Sequence, residues 1–259
     1  LCGGAVEVRI VETAEYRVMY NLETEYWWFR NLHDMLSDIL RRDLPPNAKL
    51  LDAGCGTGGF LLRLYQFSGQ SFGFDLSSEA ARFWSERGVK AGACVASINE
   101  LPYPENHFDV VVSIDILECE GVYDDRAYAE LVRVAKPGGR IVVVVPAYQW
   151  MMTEGHHAAV HAVRRYHKDS VRALTKGLPV QIERVTHGFA ALFPMVAATR
   201  LYNRWQEKRG IVEVKSELQP LPSLINETLY GITNIERHLL RYMDMPFGSS
   251  LMMVARKNG

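Results

Sequence analysis

The sequence predicts an α/β fold: a doubly wound, mostly parallel, seven-stranded sheet with helices on both faces. Two observations support this prediction. Apolar segments with strand character alternate with helical segments over residues 49–146, which is the pattern of successive right-handed β-α-β units. A glycine-rich segment, DAGCGTGG, runs on from the first apolar segment, and ligands of such sheets bind at turns of this kind.

The elements follow in order along the chain. Residues 1–43 read as helical, and Pro45-Pro46 ends that region. Five strands are expected, in KLLDAG, SFGFDLS, VKAGACVAS, HFDVVVSID and RIVVVVPAY, and three helices, in GFLLRLYQF, SEAARFWSERG and DDRAYAELVRVAK. After Pro146 a long connection leads to a helix in KDSVRALTKGL, a strand in PVQIERVTHG and a final strand in SSLMMVARK.

A chain of 259 residues suits one domain with insertions better than two domains. We divide it into an N-terminal helical lid over residues 1–44 and a ligand-binding core over residues 45–187. A helical cap over residues 188–247 is inserted before the final strand of the core, residues 248–259.

Bulk composition excludes several classes. The net charge of −1 argues against a nucleic-acid partner. Four scattered cysteines without a C-x-x-C pair indicate free thiols in a reducing compartment, so we expect a cytoplasmic protein. The apolar runs IVVVV and FAALFPMVAA are far shorter than the ~20 residues of a membrane span, although FAALFPMVAATRLYNRW could contact a membrane surface. No acidic or histidine set has metal-ligand spacing, so no metal is expected, and the oligomeric state is left open.

The glycine loop fits two ligands. Gly54, Gly56 and Gly59 form the G-x-G-x-x-G of dinucleotide sites, but a D-x-G-x-G-x-G pattern also begins at Asp52. A carboxylate at the strand end repels a pyrophosphate, whereas it attracts the ammonium and sulfonium groups of S-adenosylmethionine (SAM). Asp75 ends the second strand, where a carboxylate can take both ribose hydroxyls; the alternative for Asp75 is a helix N-cap.

The ordered motifs LLDAGCGTG, GFDLS, LPYPENHFDVVVSIDILE and RVAKPGG resemble those of class I SAM-dependent methyltransferases over residues 48–146. EYWWFR, VPAYQWM and PFGSSLMMVARK resemble a bacterial branch termed type 11 or type 12 methyltransferases. The resemblance implies a Rossmann-like core, SAM as the cofactor and S-adenosylhomocysteine as its product. The cofactor-binding residues expected in the core are Asp52, Gly54, Cys55, Gly56, Gly58, Asp75, Leu76, Ser97, Ile98, Ser113, Ile114 and Asp115.

Two positions depart from the family pattern. Ser97 stands where an acidic residue usually contacts the adenine amino group, so adenine recognition must rely on backbone groups and on Ile98. Cys119 stands where the family commonly has a histidine, which weakens any role in proton transfer there.

The segment EYWWFR has two interpretations. Its aromatic residues could form a core stripe, because such side chains bury large areas. Alternatively the segment is part of a lid, joined by Tyr16 and Tyr20, in which Trp27 lies near the sulfonium and Arg30 takes the methionine carboxylate.

Histidines and arginines cluster after the fifth strand, in a connection that faces the methyl group in this fold. The candidates for acid/base work are His161, His157, His156 and Tyr166, and those for substrate binding are Tyr148, Arg164, Arg165 and Phe193. His161 is the first choice, since the branch places a histidine before RRY, although the spacing here is longer by one residue. The alternative is a polar loop with surface charges.

We therefore expect methyl transfer to an O, N or C atom of a small, fairly hydrophobic molecule, a secondary metabolite or lipid-like compound. Positioning and desolvation should carry most of the catalysis. A SAM-binding protein that assists another reaction, or acts as a sensor, is the alternative. A nucleic-acid methyltransferase is less favoured, because SIDILE follows the fourth strand instead of an Asn/Asp-Pro-Pro-Tyr sequence.

Overall fold

The computed structural model describes residues 13–41, 43–90, 92–155, 157, 161–211 and 218–259. Its seven strands are β1 (Leu50–Ala53), β2 (Ser71–Asp75), β3 (Gly92–Val95), β4 (Phe108–Ile114), β5 (Ala135–Pro146), β6 (Val180–Gly188) and β7 (Ser250–Lys257). They form one sheet in the order β3-β2-β1-β4-β5-β7-β6, in which β7 alone is antiparallel to its neighbours. The predicted doubly wound, seven-stranded sheet is thus confirmed.

Eight helices surround the sheet in the described residues. They are α1 (Thr13–Leu22), α2 (Trp27–Leu40), α3 (Gly59–Ser68), α4 (Ser78–Glu86), α5 (Asp124–Val134), α6 (Lys168–Ala173), α7 (Phe193–Glu207) and α8 (Ser223–Leu239). Apolar side chains of α5 and α6 pack on one face of β4 and β5. Those of α2 and α3 cover the other face, with Leu240 just after α8. α1 packs against α3 and α4. Among the described residues no helix is both long and apolar enough to cross a bilayer.

Local sequence explains where the helices around the glycine loop begin. Gly58 has a φ of +86°, which a residue with a side chain rarely adopts, and α3 starts immediately after it. Ser77 caps α4 by accepting a hydrogen bond from the Glu79 backbone N–H. This assigns the cap of α4 to Ser77 and not to Asp75.

The N-terminal region differs from one continuous helical stretch. α1 ends at Leu22 and α2 begins at Trp27, so the two are separate helices, and residues 1–12 lie outside the described part. The first turn of α2 carries Trp27 and Phe29, both of which are buried. Trp27 meets Phe189 edge-to-face, with ring centroids 6.0 Å apart. These contacts are those of the core stripe that was one interpretation of EYWWFR.

Candidate functional site

The loops that follow β1, β2 and β4 meet at one end of the sheet, because these strands are parallel neighbours. β5 is parallel to β4, and β6 runs in the same direction as β5 because both are antiparallel to β7. All of these strands therefore finish at the same end of the sheet, which we call the carboxyl edge. The strand order reverses between β1 and β4, and ligands of doubly wound sheets bind in the crevice at this point. Gly54 is required there, because a Cβ would overlap the Ile116 side chain.

Asp52 is a buried carboxylate at the end of β1, and its Oδ2 accepts no hydrogen bond from the described residues. Burial raises the pKa of Asp52 well above its ordinary value, and the nearby carboxylates of Glu23 and Asp75 raise it further. Three acidic groups therefore surround the glycine loop. An ammonium or sulfonium group placed here would relieve the desolvated charge, so the residues fit a cationic ligand such as SAM.

Asp75 ends β2 and points into the same loop. Its Oδ2 accepts the Gly56 backbone N–H (2.9 Å), and its Oδ1 accepts the Tyr16 hydroxyl (2.9 Å) and the Ser77 N–H (3.0 Å). Burial raises the pKa of Asp75, and these hydrogen bonds oppose the rise. The pKa of Tyr16 is also raised, by burial and by the Asp75 charge, so the phenol stays protonated and donates.

Glu23, the residue after α1, ties this helix to the glycine loop, a contact that was not foreseen from the sequence. Glu23 Oε2 accepts hydrogen bonds from the Thr57 hydroxyl, the Gly59 N–H (3.1 Å) and Arg87 Nη2 (3.0 Å). The side chains of Arg87 and Glu23 are only 7% and 6% exposed. Burial raises the pKa of Glu23, and the Arg87 charge opposes the rise. This buried pair fastens the N-terminal helix over the cofactor loop.

The loop after β4 carries two further acidic residues, Asp115 and Glu118. Asp115 has a φ of +49°, and its Oδ1 accepts no hydrogen bond from the described residues. Burial raises its pKa to about 7, against the opposing charge of Arg165. Glu118 is buried beside it, and burial together with the Asp115 charge raises the pKa of Glu118 well above its ordinary range. Arg165, predicted to bind substrate, donates from Nη1 to the Ala147 carbonyl (3.1 Å).

The remaining cofactor candidates of the core lie along the same edge. Ile98 is buried, and its contact with adenine stays a prediction. Ser97 Oγ accepts the Asn99 N–H (3.2 Å). Cys55 packs in the apolar cluster beneath the loop, so only its backbone is available to a ligand. Ser113 is buried, whereas Ile114 and Leu76 are half-buried.

Trp27 and Arg30 both form polar contacts with α8. The backbone N–H of Trp27 donates to Asn226 Oδ1 (2.9 Å). Arg30 pairs with Glu227 at 2.5 Å, and its guanidinium lies 3.9 Å from the centre of the Tyr230 ring. The expected contacts with the sulfonium and the methionine carboxylate stay predictions.

The histidine segment after β5 packs on the loop after β4. His157 Nδ1 lies 3.1 Å from the Ala162 carbonyl, so it must carry the proton. His161 has a φ of +51° and lies 3.6 Å from Glu120 Oε2. Tyr166 bonds through its hydroxyl to the Leu117 carbonyl and to Asp124. The fourth candidate, His156, lies outside the described residues, and Arg164 pairs with Asp124 at 3.1 Å.

A hydrogen-bonded pair not foreseen from the sequence joins Tyr148 to His187. Tyr148, with a φ of +61°, places its hydroxyl 3.0 Å from His187 Nε2, and the rings stack at 16°. His187 Nδ1 lies 3.2 Å from the Met245 carbonyl and must donate to it, so Nε2 is the acceptor for the Tyr148 proton. Burial lowers the pKa of His187. Phe193, the other predicted substrate residue, lies 5.5 Å from the Tyr148 ring.

The predicted strand PVQIERVTHG could have revealed His187, because the histidine lies one residue before its end. A polar side chain at the carboxyl end of a strand in a doubly wound sheet lies near the ligand crevice.

Comparison with known proteins agrees with this geometry. A family model described as a methyltransferase domain matches residues 51–143. The sterol 24-C-methyltransferase ERG6B of Gibberella zeae is 28% identical over 206 residues, which are 68% of this chain and 51% of that protein. The ubiquinone/menaquinone biosynthesis C-methyltransferase UbiE of Burkholderia mallei is 31% identical over 120 residues, 43% of this chain and 49% of that protein. The chain thus spans about half the length of these curated relatives.

Solved structures share the fold at low identity. A chain from the complex of the Haloferax volcanii Trm112 methyltransferase activator with a methyltransferase has a TM-score of 0.62 and 16% identity, covering 95% of this chain and 96% of that one. Geranyl diphosphate C-methyltransferase from Streptomyces coelicolor, in complex with geranyl diphosphate and S-adenosyl-L-homocysteine, has a TM-score of 0.57 and 15% identity, covering 95% and 84%. The [4+2]-cyclase SpnF has a TM-score of 0.54 and 22% identity, covering 87% and 80%. Residues 51–143 thus form a methyltransferase domain, and the fold and the relatives together support a class I SAM-dependent methyltransferase.

Proposed function

We propose that this protein transfers the methyl group of SAM to a small hydrophobic molecule, with carbon as the favoured acceptor atom. The observation that carries the proposal is the buried carboxylate of Asp52 beside Glu23 and Asp75. Its Oδ2 accepts no hydrogen bond from the part of the chain that the structure describes, so the loop fits a cation. The relatives named as sterol, ubiquinone/menaquinone and geranyl diphosphate C-methyltransferases support the choice of carbon and of a hydrophobic acceptor.

Each group at the loop has a proposed role. SAM supplies an electrophilic methyl group on a sulfonium centre. Asp52 holds the ammonium group, and Asp75 takes the ribose hydroxyls in place of the Tyr16 hydroxyl, its partner in this structure. Asp115 lies beside the methionine end, and residues 188–247 cap the acceptor, with Phe193 as one wall. Burial of these groups excludes water, so positioning and desolvation lower the barrier.

A carbon or hydroxyl acceptor must lose a proton as it gains the methyl group. The sequence suggests His161 as the base that takes this proton. The Tyr148–His187 pair is the alternative supported by geometry: Tyr148 takes the acceptor's proton while its own passes to His187 Nε2. In that case Tyr148 is the catalytic residue and His187 positions it and keeps the proton.

Cofactor choice is tested by calorimetry. SAM and S-adenosylhomocysteine should bind, whereas NADH should not, because Asp52 would face its pyrophosphate. Tight NADH binding would overturn the assignment of the loop.

Methyl transfer is tested with methyl-labelled SAM and a panel of isoprenoid, quinol, phenol and amine acceptors, followed by mass spectrometry of the products. Label in an isoprenoid or quinol carbon supports the proposal. Conversion of an acceptor that requires bound SAM but incorporates no label would support the alternative of a SAM-assisted reaction. A protein named as a [4+2]-cyclase shares this fold.

The base is identified with the accepted substrate by comparing His161→Gln, Tyr148→Phe and His187→Asn. Loss of a general base typically lowers the rate ~10²–10⁴-fold. A loss confined to Tyr148→Phe and His187→Asn, with SAM affinity retained, assigns the pair. A loss confined to His161→Gln assigns His161, and near-normal rates in all three leave positioning as the source of catalysis.

A further inference from the structure

α7 presents large apolar side chains to solvent on one side. Met195, Leu201, Tyr202 and Trp205 are 52%, 55%, 56% and 47% exposed. Their spacings of three, four and seven residues place them on one side of a helix. Single exposed apolar residues are ordinary, but four on one helix face form a surface that calls for a partner.

The charges of this helix identify the partner's chemistry. Residues 193–210, all of which the structure describes, contain four basic residues and one acidic residue, Glu207. Glu207 accepts the Gly155 N–H at 3.3 Å. Lys208 and Arg209 end the exposed face, and the Arg209 guanidinium lies 3.6 Å from the centre of the Trp205 ring. Tyr202 in turn stacks on Trp205, with centroids 5.9 Å apart.

Aromatic rings beside cationic groups, at the edge of an apolar helix face, are the composition of a helix that lies in a lipid headgroup region. At 15 residues α7 is about 22 Å long, too short to span the ~30 Å hydrocarbon core. It would therefore lie on the surface, with anionic phosphates near Lys208 and Arg209.

The start of α7 reaches the proposed active site. Phe193 lies 5.6 Å from Phe247 and 6.4 Å from Trp150, both of which are partly exposed, and Trp150 lies 6.0 Å from Tyr148. These rings form an apolar path from the exposed helix towards the carboxyl edge.

We propose that the exposed face of α7, formed by Met195, Leu201, Tyr202, Trp205, Lys208 and Arg209, docks the protein on an anionic lipid bilayer. Docking brings the aromatic path to the membrane surface, where a hydrophobic acceptor dissolves. Only the delivery of the acceptor rests on the proposed function; docking itself does not.

The test is co-sedimentation of the full chain with vesicles, either of phosphatidylcholine mixed with phosphatidylglycerol or of phosphatidylcholine alone. We expect binding to the mixed vesicles that weakens with added salt. Lys208→Gln/Arg209→Gln should weaken it about fivefold for each charge removed. Tyr202→Ser/Trp205→Ser should abolish most of the binding.

Ile235→Ser is the matched control, because Ile235 is an exposed apolar side chain of α8 (65% exposed). It should bind vesicles like the parent chain. All variants are checked for an unchanged unfolding temperature and SAM affinity, which separates failure of docking from failure of the cofactor site.

Three results overturn the proposal: no binding to the mixed vesicles, equal loss of binding in Ile235→Ser, or a dimer in sedimentation velocity that Tyr202→Ser/Trp205→Ser dissociates. The last result would assign this face to a second copy of the chain.

Discussion

At the glycine loop, a single buried carboxylate can favour binding of the cofactor and at the same time lower the stability of the folded protein. The Asp52 carboxylate is buried, so its charge has lost its hydration. One of its oxygens, Oδ2, accepts no hydrogen bond from the described residues. Because its folded-state pKa is raised, the folded protein binds the proton more tightly than the unfolded chain does. Its contribution to stability therefore falls as pH rises from the ordinary aspartate pKa towards the raised value, and is lowest above that value.

Asp52→Asn should consequently raise the unfolding temperature of the protein without SAM at neutral pH. It should also weaken SAM binding by about tenfold or more, since hydrogen bonds to charged groups contribute ~1.5–3 kcal/mol. Calorimetric scans and titrations measure both effects. Asp125→Asn, which alters an exposed carboxylate of α5, is the control and should change neither. A less stable variant with parental SAM affinity would contradict this account.

Asp115 should make cofactor affinity depend on pH near neutrality. Its pKa of about 7 means that its negative charge develops across this range, and that charge attracts the sulfonium. SAM affinity should rise between about pH 6 and about pH 8, and the slope should flatten in Asp115→Asn. Isothermal titration at several pH values measures this. An unchanged slope in the variant would mean that Glu118 or Asp52, and not Asp115, causes the pH dependence of SAM affinity.

At the scale of elements, the buried ion pair of Glu23 and Arg87 adds to the contacts that hold α1. Arg87→Ala leaves Glu23 buried without its cation, and breaking such a pair by removing one partner typically costs ~3–5 kcal/mol. Urea unfolding measures the loss. Arg82→Ala is the matched control in α4, because Arg82 is 73% exposed in its pair with Glu79 and should cost less than ~1 kcal/mol. Similar losses in both variants would show that the buried pair does not hold α1.

The burial of Trp27 and Phe29 limits how a truncation can test the N-terminal lid. Deleting residues 1–30 would also remove Trp27 and Phe29 from the core, so the truncated protein would not isolate the lid. Deleting residues 1–22 removes α1 and retains α2 in the core.

At the scale of the whole molecule, the sequence predicted what depends on local pattern. Strand and helix alternation predicted the sheet, and strand ends predicted where Asp52, Asp75 and Asp115 converge. The sequence did not predict contacts between distant segments, such as Arg30 with Glu227, which are 197 residues apart. The Tyr148–His187 and Glu23–Arg87 pairs were missed for the same reason. No periodicity encodes these contacts, because each depends on how two separately formed elements pack.

The placement of β7 has a consequence for folding order. β7 supplies the neighbour of β5 on one side and of β6 on the other, with Pro146 paired to Ser250. A long segment separates β5 from β7 in the chain. Bringing its ends together costs more conformational entropy, and is therefore slower, than forming the contacts among β1 to β5. We therefore expect pulsed hydrogen exchange to show amides of β1 and β4 protected before those of β7; simultaneous protection would contradict this order. Until β7 arrives, β5 is an open edge able to pair with another chain. Substitutions that slow the pairing of β7 with β5 should therefore lower the refolding yield, and more so at high protein concentration. This loss should exceed what their effect on the stability of the folded state explains.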